Sequence, residues 1–232
     1  MKVFVLALAL AAAAGVAGAN GTAQRRAASC AWGAVPVRVG AATACLVDGH
    51  ACRARYGAAY RRAGFACRAG VLAFDWSVLR RRAVTVPRVD PGGACPTGAR
   101  TGSLPGYPSQ PAWGDGPAWP FITGETERPR VTIEAEPGSD WGPHKIMWAI
   151  DPRYIGPVLV RGRQLDGANE LRFENGHPAF TEQQRLHPVR ELRLEGGSVH
   201  PATTRFFAPG CYAWRIDGIG FSRTIVFEAV PA

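Results

Sequence analysis

The sequence predicts a mainly β protein, in which a C-terminal antiparallel β-sandwich follows a small, irregular, disulfide-stapled region with one short helix. The supporting observations are alternating apolar and polar runs after about residue 119, turn residues between those runs, and a cluster of cysteines before residue 100. They divide the chain into a signal peptide at 1–19, a basic cysteine-bearing region at 20–90, a Pro/Gly-rich linker at 91–118 and the sandwich at 119–232.

The first nineteen residues have the pattern of a secretory signal peptide. Lys2 supplies the charged start, residues 3–16 are apolar, and Ala17-Gly18-Ala19 supplies small residues for cleavage. The apolar run is shorter than the roughly 20 residues of a membrane span. Since no second such run follows, we expect no transmembrane segment after cleavage and a mature chain that is secreted or held at the cell surface.

The cysteines are expected to form disulfides, because their number is even and the chain is exported. Their connectivity stays open, since fifteen pairings of six cysteines are possible. Five precede the sandwich and one lies within it, so at least one bridge must join the two regions. The six candidates are Cys30, Cys45, Cys52, Cys67, Cys95 and Cys211.

A single short helix is predicted in the basic region, starting at Asp48-Gly49 and ending at Gly64. Its length makes it marginal alone, so the neighbouring cysteines are expected to hold it. The apolar positions at helical spacing are Cys52, Tyr56, Tyr60 and Ala63. The spacing Cys-x6-Cys-x7-Tyr-x3-Gly-Phe-x-Cys over residues 45–67 resembles a small module of exported bacterial proteins and implies no activity.

Charge is concentrated in the N-terminal part of the chain. Residues 20–104 contain 13 Arg and 3 Asp, whereas residues 105–232 contain 13 basic and 15 acidic residues. This asymmetry predicts a surface for anionic envelope polymers or a surface protein, although a solvated face without a partner, in an arginine-rich chain, explains it equally well. The predicted surface consists of Arg53, Arg55, Arg61 and Arg62 on the helix and Arg80, Arg81 and Arg82 on an extended segment at 76–87. Export argues against nucleic acid as the natural partner.

The sandwich is predicted from short alternating runs that begin near residue 130 and end with a hairpin. In the hairpin, Tyr212, Trp214 and Ile216 alternate with Cys211, Ala213 and Arg215, and a turn follows at 217–220. Trp148 and Trp214 are expected at the centre of the core. Glu134 and Glu136 are expected to point outward from the alternating strand at 131–136, rather than to form a catalytic pair.

The motifs GPVLVRGRQLDG at 156–167 and APGCYAWRIDG at 208–218 resemble the C-terminal domain of a group of exported, uncharacterised bacterial proteins. That resemblance covers roughly residues 145–227 and implies an immunoglobulin-like sandwich and export, but no chemistry. The chain departs from antibody domains because its sandwich contains only Cys211, so the inter-sheet disulfide is not matched.

No catalytic motif, cofactor site or metal site is predicted, and enzymatic activity is left undecided with a leaning against it. The five histidines lack the close spacing of zinc ligands: His50, His144, His177, His187 and His200. The favoured function is therefore a non-enzymatic exported binding or structural protein of the cell envelope. The alternative is a hydrolase or carbohydrate-binding protein that acts on envelope polysaccharide, with Tyr107, Trp113 and Trp119 along a sugar groove.

Overall fold

The computed structural model describes residues 29–122, 127–175, 187–197 and 199–232, and the fold is mainly β. The predicted signal peptide at 1–19 lies outside these residues. The helical elements are a short 3-10 helix (Ala54–Tyr56), α1 (Gly57–Arg62) and α2 (Ser77–Arg80). The strands are β1 (Val35–Val39), β2 (Ala42–Leu46), β3 (Phe65–Arg68), β4 (Val71–Phe74), β5 (Arg100–Leu104), β6 (Tyr107–Trp113), β7 (Ala118–Phe121), β8 (Arg130–Ile133), β9 (Gly142–Ile150), β10 (Val158–Gln164), β11 (Arg172–Asn175), β12 (Leu192–Leu194), β13 (Val199–Phe206), β14 (Gly210–Gly218) and β15 (Phe221–Pro231).

Two sheets share one core and form the sandwich. One sheet has the order β12-β10-β14-β15-β8 and the other β11-β13-β9-β7, with all neighbours antiparallel except β15 and β8. At the centre of the core, Trp214 stacks on Phe227 at 3.6 Å between ring centroids and meets Trp148 edge-on at 5.5 Å. All three side chains are fully buried. The prediction that Trp148 and Trp214 lie in the core is confirmed.

The sheet topology shares part of the immunoglobulin order. Strands β7-β9-β13-β11 and β10-β14-β15 follow the A-B-E-D and C-F-G orders of that fold. Strand β12 departs from it, because the chain returns to the first sheet between β11 and β13, where an immunoglobulin domain passes directly from D to E. The antiparallel sandwich is observed, and its immunoglobulin-like class stays a prediction.

The C-terminal hairpin has the predicted register. Tyr212, Trp214 and Ile216 face the main core, whereas Cys211 and Ala213 pack on the opposite face of the sheet. That outer face is covered by Val86 and Val89 and by the Cys95–Cys211 disulfide. Both faces of β14 are therefore buried, which explains why apolar residues occupy both sets of alternating positions.

Residues 29–82, called the N-terminal unit here, fold around a small core of their own. The hairpins β1–β2 and β3–β4 enclose it. Leu159 of β10 projects away from the main core and packs into the unit's core, so the unit rests against the sandwich. The buried members are Leu46, Tyr60, Phe65, Leu72, Phe74, Leu79 and Leu159.

The helix of this unit is shorter than predicted. It starts at residues 54–57 rather than at Asp48-Gly49, because that dipeptide pairs with β4 instead: Asp48 Oδ1 accepts the Phe74 N–H at 2.8 Å, and Gly49 N–H donates to the Leu72 carbonyl at 2.9 Å. Its end is as predicted, since Gly64 has a φ of 81°, a left-handed conformation that suits a helix terminus.

Two segments differ from their predictions, because the segment predicted as extended contains a helix and the predicted linker contains a β-hairpin. Within the predicted extended segment at 76–87, residues 77–80 form α2. Within the predicted linker, β5 and β6 pair as a hairpin whose Leu104 and Ala112 pack on Ala149 of β9. The hairpin forms because these apolar side chains cover the outer face of the four-stranded sheet. The domain boundaries themselves stay a prediction.

All six cysteines are paired, as predicted, in the bridges Cys30–Cys45, Cys52–Cys67 and Cys95–Cys211. The third bridge joins Cys95, in the predicted linker, to Cys211 of β14, so a cysteine that precedes the sandwich is bonded to it as the cysteine count requires. Three disulfides indicate an extracytoplasmic protein, since such bonds persist in oxidising compartments. Within the described ranges, the helices are too short and too polar to cross a membrane.

The prediction for Glu136 is wrong. Glu134 is exposed, but β8 ends at Ile133 and Glu136 turns back to pair with Arg205, which also pairs with Glu174. The Arg205 side chain is only 3% exposed, and its burial lowers its pKa below the usual arginine value. Glu136 is thus drawn inward because a buried guanidinium needs carboxylate partners.

Candidate anion-binding groove

Of the seven arginines of the predicted anionic-partner surface, Arg61 and Arg80 line one cavity and the other five do not. Arg53, Arg55, Arg62 and Arg81 are exposed outside the cavity described below. Of these, Arg55 lies over the Tyr56 ring at 4.8 Å, and Arg81 donates to Ser77 Oγ at 2.7 Å. The remaining three have distinct roles.

Arg82 is a structural residue, which corrects its assignment to the exposed surface. Its Nη1 donates to the carbonyl oxygens of Gly218 and Phe221, each at 2.7 Å. These carbonyls flank the β14–β15 turn, so the guanidinium supplies donors that the turn does not provide. Arg82 therefore fastens the chain after α2 to the sandwich.

A cavity of about 540 Å³ lies between the N-terminal unit and the edge strand β12. Its walls combine guanidinium groups with aromatic rings, and we call it the arginine groove. Arg61 comes from α1, Arg68 from the end of β3, Arg80 from the end of α2 and Arg193 from β12. The other charged or aromatic lining residues are Phe65, Phe74, Asp75 and Trp76.

Glu191 holds two of the four arginines in place. Arg80 donates from Nε to one Glu191 oxygen at 2.6 Å and from Nη2 to the other at 2.7 Å. Arg193 donates to Glu191 Oε1 from Nε at 2.9 Å and Nη2 at 2.7 Å, and its guanidinium lies over the Trp76 ring at 5.4 Å. The hydrogen bond from Arg80 is the main cause that lowers the pKa of Glu191, and the same bond raises the pKa of Arg80. Both arginines are thereby fixed in orientation.

The other two arginines have their donors available. Among the residues that the structure describes, the side chains of Arg61 and Arg68 make no hydrogen bond or ion pair, and both residues are exposed. Asp75, on the same wall, stays ionised because hydrogen bonds from Ser77 lower its pKa. The groove lining thus carries four positive groups and one negative group.

Arg161 of β10 fixes the end of α2 against the sandwich. It donates to the carbonyl oxygens of Arg80 at 3.0 Å and Arg82 at 3.1 Å. It also pairs with Asp217 at 2.8 Å, and Asp217 is fully buried with Arg215 as its second partner. This network sets the position of Arg80 relative to Arg193, so the groove depends on how the two regions dock.

The arrangement is suited to binding anions. A guanidinium presents planar, paired donors that match the oxygens of phosphate and carboxylate. Aromatic walls lower the exposure of such contacts to water. In the part of the chain that the structure describes, no three His, Cys, Asp or Glu side chains are grouped as metal ligands would be.

The three aromatic residues proposed for a sugar groove do not come together. Trp113 is fully buried in the main core, and Trp119 is half-buried with its Nε1 donating to the Gly114 carbonyl at 3.0 Å. Tyr107 is 40% exposed and packs against Phe121. This version of the carbohydrate alternative is wrong, because one of its residues is inaccessible.

Sequence reasoning missed Arg68, Arg193 and Glu191. Arg68 follows Cys67 directly, and its position beside a predicted disulfide could have marked it as rigidly held. Arg193 and Glu191 carry no local signal, since Glu191 meets Arg80 across 111 residues of sequence.

Comparison with known proteins adds little. No protein-family model and no curated protein matches the chain. One solved structure is similar, described as a "Putative Lipoprotein from Bacillus anthracis", at 15% identity and a TM-score of 0.35, covering 67% of this chain and 93% of that chain. At this level of similarity we draw no functional conclusion from it.

Proposed function

We propose that this extracytoplasmic chain is a non-enzymatic binding protein that holds an anionic polymer of the cell envelope in the arginine groove. The observation that carries the proposal is the convergence of four guanidiniums from two regions of the chain, two of them with no partner among the described residues. Guanidiniums that face one cavity repel one another, and a bound anion would relieve that repulsion.

The division of roles within the groove supports a ligand with repeated charge. Arg80 and Arg193 are oriented by Glu191, which leaves Nη1 of each without a hydrogen bond to the groove's own residues. Arg61 and Arg68 keep all their side-chain donors available for a ligand. A polymer with several anionic groups could contact both pairs at once, and simultaneous contacts raise the affinity of weak individual ones.

Inorganic polyphosphate provides a direct test, with binding measured by calorimetry on the purified protein. Replacing Arg61→Gln and Arg68→Gln together should weaken binding about tenfold, because two charge-assisted contacts are lost. The matched control is Arg53→Gln with Arg62→Gln, which removes the same net charge outside the groove and should change affinity by about twofold or less.

Two results would contradict the proposal. Equal losses of affinity in the two double variants would show that net charge alone governs binding. Unchanged affinity in both variants would show that polyphosphate does not bind in the groove. Retention on isolated cell envelopes should also fall steeply as salt rises, since exposed charges are screened beyond about 8 Å at physiological salt.

A further inference from the structure

A second cavity, of about 280 Å³, lies between the N-terminal unit and the sandwich. Trp76 lines both cavities, so they adjoin at this residue. We call the second cavity the carboxylate pocket, and its main lining residues are Asp48, Gly49, Gly156, Leu194 and Glu195.

The chain at the end of edge strand β12 presents opposite charges to the two cavities. Arg193 of β12 lines the arginine groove, and Glu195, which directly follows the last strand residue Leu194, lines the carboxylate pocket. Both charged residues are exposed, whereas Leu194 between them is buried in the main core. A guanidinium and a carboxylate two residues apart thus serve neighbouring cavities.

Both carboxylates of the pocket can accept hydrogen bonds from a ligand. Asp48 uses Oδ1 to accept the Phe74 N–H, and Oδ2 makes no bond to the described residues. The Glu195 side chain has no hydrogen-bonding or ionic partner within the same ranges. Ionised carboxylates accept and do not donate, so a ligand for this pocket must supply donors.

These features select among anionic ligands. A chain with negative charge on every unit, such as polyphosphate, would bring that charge against Asp48 and Glu195 if it extended past Trp76, and like charges at short range repel. A glycan in which acidic and neutral sugars alternate would instead place hydroxyl donors there. The Trp76 ring, at the junction, offers an apolar surface of the kind that lines ligand pockets beside a few polar groups.

We infer that the two cavities form one site for an acidic glycan. A carboxylate or phosphate on one sugar binds the arginines, and hydroxyl groups of the adjacent neutral sugar donate to Asp48 and Glu195 across Trp76. The inference rests on the proposed function for its arginine half and adds the class of ligand.

The test uses a hyaluronan tetrasaccharide, in which glucuronate alternates with N-acetylglucosamine, alongside inorganic tripolyphosphate, neutral chitotetraose and phosphocholine. The informative variant is Asp48→Asn with Glu195→Gln, which removes charge at nearly constant shape. It should weaken binding of the tetrasaccharide about fivefold, since charged acceptors are replaced by neutral ones. Binding of tripolyphosphate should stay unchanged or become tighter, because two repulsive charges are gone.

The matched control removes two acidic charges elsewhere, as Asp90→Asn with Glu134→Gln, and should leave tetrasaccharide binding unchanged. Tetrasaccharide binding that is equal or tighter in the Asp48/Glu195 variant would overturn the inference, as would tripolyphosphate binding without tetrasaccharide binding. Phosphocholine that binds more tightly than the tetrasaccharide, in a manner dependent on Asp48 and Glu195, would assign the site to a lipid headgroup instead. Failure of both anionic probes, or equal binding of chitotetraose, would refute the proposed function itself.

Discussion

The sandwich and the N-terminal unit reach a stable fold by different means. Among the residues that the structure describes, the main core of the sandwich contains 23 buried residues, including three fully buried tryptophans. The core of the unit contains seven buried residues, and one of these, Leu159, belongs to β10 of the sandwich. Two of the three disulfides lie in the unit. A core so small rarely supports a fold without such bridges.

The groove therefore lies between a sandwich with a large core of its own and a unit whose fold depends on disulfides and on packing against that sandwich. Arg193 belongs to the sandwich, and Arg61, Arg68 and Arg80 belong to the unit. Changes that weaken the unit or its docking should therefore disturb the groove while the sandwich remains folded.

The largest effect is expected from Trp214→Ala. Removing a ring that stacks on Phe227 and meets Trp148 should lower the free energy of unfolding by about 3 to 5 kcal/mol. Denaturant titration would measure it, with Trp32→Ala as control because Trp32 is 43% exposed and should cost far less. A loss for Trp214→Ala no greater than that of the control would contradict the account of the core.

Removal of one unit bridge by Cys52→Ala with Cys67→Ala should cost about 3 kcal/mol, the value for a loop of this length, and should act locally. Hydrogen exchange should show that amides of β3 and β4 lose protection while those of β14 and β15 keep it. Simultaneous loss in both regions would mean that the unit is not a separate, dependent part. The unmodified protein, denatured without reductant, should show no reactive thiol.

A smaller effect is expected at the docking contact. Arg161→Gln removes donors to the carbonyls of Arg80 and Arg82 and one partner of buried Asp217, while Arg215 keeps its own bond to that carboxylate. We expect a loss of about 1 to 3 kcal/mol in unfolding free energy together with weaker polyphosphate binding. Exposed Arg163 on the same strand supplies the control, as Arg163→Gln. If the two variants behaved alike, Arg161 would not position the groove.

The smallest predicted effect concerns pH. The pKa of Glu191 is lowered, first by the hydrogen bond from Arg80, so this group contributes stability above the usual glutamate pKa and loses it as pH falls through the lowered value. The difference in unfolding free energy between the wild type and Glu191→Gln should therefore be largest near neutral pH and shrink in acid. A difference that does not vary with pH would show that the ion pairs of Glu191 contribute nothing.

Much of the sandwich was predictable because a strand repeats every two residues. The alternation around Trp214 specified which side chains face the core, and the cysteine count required a bridge between the regions. The β5–β6 hairpin was missed because its proline and glycine content favours a linker, whereas packing against β9 decides its structure. Arg82 was assigned to the surface because nothing near it in sequence shows that it meets the β14–β15 turn.

The residue type at the candidate site was predictable, but its location was not. The arginines of the basic region predicted a cationic surface, and Arg61 and Arg80 were among the predicted residues; the anionic partner stays a prediction. The groove, however, is completed by Arg193, which an edge strand of the sandwich contributes. Contacts between segments so distant in sequence depend on tertiary structure, which residue spacing does not encode.

The central claim is that anions bind at the boundary between the two regions, and side-chain NMR of the arginines tests it most directly. On titration with polyphosphate, the Nε–H resonances of Arg61, Arg68, Arg80 and Arg193 should shift together with one affinity, and those of Arg53, Arg55 and Arg62 should move little. Larger shifts at Arg53, Arg55 and Arg62, or equal shifts at all seven residues, would contradict this claim. Either result would show that anions bind a diffuse basic surface instead of the groove.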